Sequence, residues 1–110
     1  MSAAYFLAKS GFKVDVYEAK SKTGGMLVNS IPDFRLYESR LEADINRIKA
    51  LGVNVHNDYY VDAQKFAEIQ NSHDYCHISI GAAASKKMGI EGEDSKVVMG
   101  FLEFLEKLNN

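Results

Sequence analysis

The sequence predicts an α/β fold with a mostly parallel sheet and flanking helices, and three observations favour it. Helical and extended apolar patterns alternate along the chain, which is typical of parallel strands connected by helices. The apolar residues 13–18 end in a single acid and lead to two adjacent glycines, Gly24 and Gly25. The chain has 110 residues, 46% of them hydrophobic and 25% charged, which predicts one domain over residues 1–110 with one hydrophobic core.

The first half of the chain contains two predicted helices with a strand between them. Residues 3–10 are predicted to be helical because small and apolar side chains recur on one face. Residues 13–18 form the first strand, and residues 19–37, rich in glycine, serine and asparagine, form a long loop. Residues 38–51 form an amphipathic helix with leucine and isoleucine at three- and four-residue steps, and Gly52 ends it.

The second half repeats the alternation of strand and helix. Residues 53–56 predict a short strand, residues 63–69 a short helix, and residues 75–80 a further strand. Turn-forming residues fill 85–96. Residues 97–108 predict a final helix whose wide apolar face of leucine and phenylalanine is expected to lie in the core.

The junction after the first strand has the layout of half an adenine-dinucleotide site. An acid at the carboxyl end of the second strand of a dinucleotide fold is placed to hold a ribose hydroxyl pair, and Glu18 fits that position. Gly24 and Gly25 would let the backbone approach a ligand closely. The other half, a strand followed by G-x-G-x-x-G and a helix facing the pyrophosphate, is not in the sequence. We therefore expect the chain to begin within that helix.

Composition excludes several classes of function. The formal net charge is −2 and the basic residues are scattered, so nucleic acid is not an expected partner. The sequence contains no apolar run of about 18 residues and no signal-peptide layout. We therefore predict a cytoplasmic protein that does not bind a membrane. The single cysteine, Cys76, excludes a disulfide or cysteine-ligated cluster within the chain. His56, His73 and His77 lack the spacing of metal ligands, so no metal site is predicted and solvated or edge positions are expected.

Several longer motifs resemble a known family of flavoproteins. They are GFKVDVYEAKSKTGGMLVNSIPDFRL, LEADINRIKALGVNV, MGIEGED and FLEFLEKLN. Together they resemble the FAD-binding domain of the glutamate synthase small subunit and of dihydropyrimidine dehydrogenase-like NAD(P)H-dependent flavoproteins. The resemblance covers nearly the whole chain, and its most specific part is GG-x5-IP-x-FRL. It implies a truncated Rossmann-like FAD/NAD(P)-binding domain that lacks the amino-terminal strand and the glycine-rich loop.

The resemblance implies where the adenosine and pyrophosphate of FAD would lie. Glu18, with the adjacent Ala19, would hold the adenosine ribose, and the backbone of Val61 would meet the adenine. Gly81 would close over the pyrophosphate. The family's usual Ala-Thr-Gly pattern is replaced there by Ser79-Ile80-Gly81.

The resemblance also implies which residues would lie near the flavin. Gly24, Gly25 and Met26 would pass close to its ribityl and ring portions, and Arg35 would sit beside the cofactor. Where the family has proline after this FRL segment, the chain has Tyr37. No catalytic acid, base or nucleophile is implied, because the flavin itself carries out hydride and electron transfer.

Each of these features also has a simpler structural interpretation. Glu18 could be a solvated strand end, the two glycines could form only a tight turn, and Arg35 could be a surface cation. Tyr59 and Tyr60 could flank a purine, although a half-buried loop anchor is the favoured interpretation.

Three functions follow, in order of preference. The resemblance implies the FAD-binding portion of an NAD(P)H-dependent oxidoreductase resembling the glutamate synthase small subunit, whose family passes electrons to iron–sulfur clusters or a partner subunit. Alone, it would not turn over NADPH, because the nicotinamide domain lies outside the chain. The first alternative is a non-catalytic truncated interaction module that has lost the flavin. The second is a binder of a smaller adenosine ligand, which needs Glu18 and Val61.

The resemblance places a missing strand between residues 13–18 and residues 75–80. We expect this gap to be closed by direct pairing of residues 14–17 with residues 76–80. Two alternatives stay open. A second copy could supply the missing edge and make a homo-oligomer, or another subunit or a further part of the same protein could supply it.

Overall fold

The computed structural model describes residues 1–109, in which helices and strands alternate as the sequence predicts. The elements are α1 (Ser2–Lys9), β1 (Asp15–Tyr17), α2 (Met26–Asn29), α3 (Glu38–Lys49), β2 (Asn54–His56), α4 (Ala63–Ser72) and α5 (Phe101–Asn109). The predicted helices near residues 3–10, 38–51 and 63–69 are confirmed, as are the first two strands. No helix within residues 1–109 is long and apolar enough to cross a membrane, and the cytoplasmic location stays a prediction.

β1 and β2 form a two-stranded parallel sheet. Its register aligns Asp15 with Asn54, Val16 with Val55 and Tyr17 with His56. At one end, the Asn54 amide donates to the Val14 carbonyl at 2.9 Å, and at the other the Glu18 amide donates to the His56 carbonyl at 2.9 Å. The parallel sheet predicted from the alternating pattern is therefore confirmed for this pair of strands.

The opposite edge of β1 carries unpaired backbone groups. In a parallel ladder, alternate residues of a strand bond to the same neighbour, and here Val14, Val16 and Glu18 face β2. The N–H and C=O groups of Asp15 and Tyr17 therefore point away from β2. Within residues 1–109 these four groups form no hydrogen bond, and they are called the outer edge of β1 below.

The prediction of a strand at residues 75–80 is wrong, and so is the prediction that this strand pairs directly with residues 14–17. The sheet contains only β1 and β2 within the described residues, and no backbone hydrogen bond joins residues 75–80 to them. Tyr75 and Ile80 are 83% and 87% exposed. An extended segment becomes a strand only when its backbone groups bond to a partner, and no hydrogen bond joins this segment to the outer edge of β1.

Two further predictions are corrected at the level of elements. The long loop at residues 19–37 contains the short helix α2, which begins directly after Gly25. The final helix forms, but its apolar face is not buried: Phe101, Phe104 and Leu108 are all exposed. α5 instead lies beside α2, and the Asn109 side-chain amide donates to the Ile31 carbonyl at 3.0 Å.

The hydrophobic core is smaller than the sequence predicts. Among the described residues, the buried apolar side chains are Ala4, Ile45 and Val53, and no large side chain is fully buried. The radius of gyration is 16.8 Å, whereas a compact domain of this length has about 13 Å. Much apolar surface therefore remains exposed around the sheet and along α5.

Candidate functional site

The carboxyl ends of β1 and β2 meet at one edge of the sheet, and the loops that follow them run side by side. The Tyr59 amide donates to the Glu18 carbonyl at 2.9 Å, and the Asp58 amide donates to the Lys20 carbonyl at 3.0 Å. Ligands of open α/β sheets bind at the carboxyl ends of the strands. This carboxyl edge is therefore the candidate site.

Glu18 lies at this edge and is half-buried. Its Oε1 accepts a hydrogen bond from the Lys20 amide at 2.9 Å, which fixes the carboxylate at the strand end. Its second oxygen forms no hydrogen bond within residues 1–109 and can accept one from a ligand hydroxyl. The neighbouring Ala19 is exposed beside it.

Asn57 and Thr23 connect the two loops, and neither is identified by the sequence analysis. The Thr23 hydroxyl donates to Asn57 Oδ1 at 2.8 Å, and Asn57 Nδ2 donates to the Ser21 carbonyl at 2.5 Å. Thr23 is only 8% exposed. The signal that could have revealed Asn57 is an amide residue directly after a strand, opposite a loop rich in hydroxyl groups.

Gly24 and Gly25 have backbone conformations that favour glycine, with φ of 143° and 56°. A Cβ on Gly24 would lie 2.8 Å from Leu41 Cδ2. Gly25 precedes the first residue of α2, Met26, which is half exposed. The Leu27 amide donates to the Gly24 carbonyl at 3.2 Å, so the glycines form the turn into α2. This turn is compatible with both interpretations, and the proximity of these residues to a flavin stays a prediction.

Val61 follows Tyr59 and Tyr60 in the loop after β2. It is half-buried, and its backbone N–H and C=O form no hydrogen bond within residues 1–109. Tyr59 packs on Tyr17 with ring centroids 5.0 Å apart, and Lys65 Nζ lies 4.7 Å from the Tyr59 ring centroid. Tyr59 is therefore the half-buried loop anchor that the sequence analysis favours, while Tyr60 is 70% exposed.

Arg35 and Gly81 are not joined to this edge. The Arg35 side chain is exposed and forms no hydrogen bond or ion pair within the described residues, and its amide closes a turn onto the Pro32 carbonyl at 2.8 Å. Gly81 has φ of 68° and lies in an exposed segment. No hydrogen bond links residues 74–84 to the loops after β1 and β2.

An open cleft of about 260 Å³ lies beside the candidate site, between α2, α3 and the end of α5. Its lysines are paired with carboxylates of the same chain: Lys20 with Glu106, and Lys22 with Glu38. The hydrogen bond that Lys22 donates to Glu38 raises the pKa of Lys22. Because these pairs neutralise the positive charge, the cleft is poorly suited to bind phosphate.

A polar and aromatic cluster lies on one face of the sheet, close to the candidate site. His56 Nε2 lies 2.8 Å from Asp15 Oδ1, and His73 Nε2 lies 3.5 Å from Asp15 Oδ2. The Tyr17 ring stacks on the His56 ring at 4.9 Å between centroids. His56 is exposed on β2, an edge strand, in agreement with the expected solvated or edge position, and both His56 and His73 also contact Asp15.

This cluster alters the ionisation of two residues. The hydrogen bond from His56 lowers the pKa of Asp15, and partial burial opposes that effect. Burial raises the pKa of the Tyr17 phenol, and the nearby Asp15 charge raises it further. Asp15 is therefore held as a carboxylate and Tyr17 as a neutral phenol near neutral pH.

Comparison with known protein families supports the predicted fold class. Residues 1–43 match a family described as NAD(P)-binding Rossmann-like domain. The matched segment contains α1, β1, α2 and the beginning of α3, and therefore includes Glu18 and both glycines. The Rossmann-like part of the predicted fold is confirmed by this match.

Three curated relatives are similar over nearly the whole chain. The beta subunit of NADP(+)-dependent formate dehydrogenase from Moorella thermoacetica is 40% identical over 99% of this chain. The beta subunit of NADPH-Fe(3+) oxidoreductase from Geobacter sulfurreducens is 35% identical over 94% of it. The subunit PreT of NAD-dependent dihydropyrimidine dehydrogenase from Escherichia coli K12 is 28% identical, also over 94%.

The chain spans only part of each relative. It corresponds to 16% of the length of the first two and 26% of the third. The predicted similarity to dihydropyrimidine dehydrogenase-like oxidoreductases is confirmed, while the similarity to glutamate synthase stays a prediction. Over at least 94% of its length, the chain is thus similar to a portion of each of three NAD(P)-dependent oxidoreductase subunits.

Proposed function

We propose that this chain is the FAD-binding portion of an NAD(P)H-dependent oxidoreductase and is not catalytic alone. The observation that carries the proposal is the carboxyl edge of the sheet. There, one Glu18 oxygen and the Val61 peptide group form no hydrogen bond within the described residues, on two loops that bond to each other. These are the groups that a ribose and an adenine require.

The residues at this edge suit the adenosine end of the cofactor. The Glu18 carboxylate would accept hydrogen bonds from the ribose hydroxyl pair. The Val61 N–H and C=O would bond to the edge of the adenine, and Asn57 would maintain the spacing of the two loops through Ser21 and Thr23. When bound, FAD supplies the hydride and electron-transfer chemistry.

Completion of the site is proposed to come from additional protein, either another subunit or a further part of the same polypeptide. The outer edge of β1 exposes four unpaired backbone groups, which is the feature that another strand recognises. The small core and the match to only a portion of each relative support the same proposal. NAD(P)H would bind to that additional protein.

A second candidate function is an interaction module that has lost the flavin. It is favoured by the extent of exposed apolar surface, which includes Phe12, Tyr75, Ile78 and Ile80. In that case the outer edge of β1 would bind a second copy or another protein, and the carboxyl edge would have no ligand.

Titration of the chain with FAD, ADP and AMP separates these functions. Saturable quenching of flavin fluorescence that is abolished in Glu18→Ala supports the proposal. The matched control is Glu91→Ala, because Glu91 is exposed and forms no hydrogen bond within residues 1–109. Binding of AMP as tight as that of FAD supports a smaller adenosine ligand. No binding of any nucleotide, together with a stable oligomer in sedimentation, supports the interaction module.

A further inference from the structure

Lys65, in the first turn of α4, contacts the two residues that precede Val61. Its Nζ lies 4.7 Å from the centroid of the Tyr59 ring, which is close enough for a cation–π interaction. The same Nζ donates to the Tyr60 carbonyl oxygen at 3.0 Å. Lys65 and Tyr59 are both half-buried. The Lys65 side chain therefore holds the loop that leads from β2 to Val61.

The chain is fixed on both sides of Val61. Before it, the Tyr59 amide donates to the Glu18 carbonyl at 2.9 Å, which joins this loop to the loop after β1. After it, Asp62 Oδ1 accepts from the Lys65 amide at 2.8 Å. Lys65 thus contacts this loop through its backbone amide as well as through its ammonium group.

The contact with Tyr60 determines the direction of the Val61 N–H. The Tyr60 C=O and the Val61 N–H belong to one peptide group, and no peptide bond within residues 1–109 is cis. In a planar trans peptide, the C=O and N–H bonds point in opposite directions. Because the C=O is directed at the Lys65 ammonium, the Val61 N–H is directed away from it.

The Lys65 ammonium also makes the Val61 N–H a stronger donor. A hydrogen bond accepted by the C=O of a peptide polarises the whole group, and hydrogen bonds with a charged partner are the stronger ones. Val61 is half-buried, and its N–H forms no hydrogen bond within residues 1–109. This N–H is therefore an oriented, polarised donor that is available to a ligand.

The charge of Lys65 does not stabilise α4 itself. A cation in the first turn of a helix lies near the positive end of the helix dipole, where it is unfavourable. The cap of α4 is the Asp62 side chain, and it needs only the Lys65 backbone amide. The favourable contacts of the ammonium are those with the loop before the helix.

We propose that Lys65 is a positioning residue for adenine recognition, because it fixes the Tyr60–Val61 peptide so that the Val61 N–H donates to N1 of the adenine ring. The inference rests on the proposed function, which places the adenine at Val61. N1 of adenine is an acceptor, whereas N1 of hypoxanthine, the base of inosine, carries a hydrogen. A donor fixed towards N1 therefore favours adenine, since with hypoxanthine two donors would face each other.

Calorimetric titration with ADP and with inosine diphosphate tests this role. The wild-type chain should bind ADP at least about tenfold more tightly, as for a donor that loses its acceptor. Lys65→Met should weaken ADP binding about three- to tenfold, because the peptide is no longer pre-organised, and leave inosine diphosphate binding unchanged. Lys65→Arg should retain most of the preference, since arginine also donates and lies over aromatic rings.

The matched control is Lys9→Met, because Lys9 Nζ makes a similar contact, 5.2 Å from the Tyr5 ring centroid, within α1. It should change neither affinity. A second measurement needs no variant: ADP, but not inosine diphosphate, should shift the Val61 amide proton downfield in nuclear magnetic resonance spectra, as a new hydrogen bond does.

The outcomes separate this inference from the proposed function. If FAD and ADP bind but Lys65→Met keeps the full preference for ADP, or weakens both nucleotides equally, only the role of Lys65 is overturned. Equal binding of ADP and inosine diphosphate by the wild type, or an unshifted Val61 amide with ADP bound, overturns it as well. If neither FAD nor ADP binds the wild-type chain, the proposed function is overturned and this inference with it.

Discussion

At the scale of single residues, Asn57 is the connection on which the candidate site depends. It accepts from Thr23 through Oδ1 and donates to the Ser21 carbonyl through Nδ2. These partners are 34 and 36 residues away in the chain. Local sequence patterns identify Glu18 and the glycines, because a strand end and a turn are local features. They do not reveal contacts between distant loops.

Substitution of Asn57 should separate its two hydrogen bonds. Asn57→Asp keeps the oxygen that accepts from Thr23 but loses the donor to Ser21, and Asn57→Ala loses both. We expect the free energy of unfolding to fall by about 0.5–1.5 kcal/mol in the first and roughly twice that in the second. Urea denaturation measures both values. Equal stability of Asn57→Ala and wild type would refute this role.

The ionisation of Asp15 predicts a pH dependence of stability. Its pKa is lowered from 3.8 in the folded protein, chiefly by the His56 hydrogen bond. The resulting stabilisation is complete above the ordinary value and is lost as the pH falls through the lower folded pKa. Acid titration followed by circular dichroism should therefore show a larger loss of stability below about pH 4 for the wild type than for Asp15→Asn. If the stability of the wild type and that of Asp15→Asn fell in parallel with decreasing pH, this role of Asp15 would be contradicted.

At the scale of elements, α4 shows which features the sequence can predict. Its start is a local capping pattern: Asp62 Oδ1 accepts from the Lys65 amide at 2.8 Å. The strand predicted at residues 75–80 fails for the opposite reason. Its apolar alternation is genuine, but a strand also needs a neighbour, and the sequence pattern carries no information on whether that neighbour is present.

The Asp62 cap at the start of α4 is expected to contribute to the free energy of unfolding. Asp62→Ala should lower the free energy of unfolding by about 0.5–2 kcal/mol, because the Lys65 amide loses its acceptor. Asp62→Ser should retain most of the stability, since serine caps comparably well. Thermal denaturation distinguishes them. If the two variants unfold at the same temperature, the cap does not contribute as described.

At the scale of the whole molecule, the chain exposes more apolar surface than a self-sufficient domain of its size. Its radius of gyration of 16.8 Å and the small number of apolar side chains buried within residues 1–109, three, agree on this point. The composition did not predict this large exposed apolar surface, because a hydrophobic content of 46% is enough for a core if the elements pack together. The same incompleteness is seen at the outer edge of β1, which forms no hydrogen bond within residues 1–109.

The proposed function requires FAD to bind at the carboxyl edge of the sheet. Hydrogen exchange with and without FAD tests it most directly, since it reports where binding occurs. FAD bound there should slow exchange in both loops of that edge, residues 18–25 and residues 57–61, and no such protection is expected in Glu18→Ala. Unchanged exchange in these loops at saturating FAD, or protection confined to other segments, would contradict it.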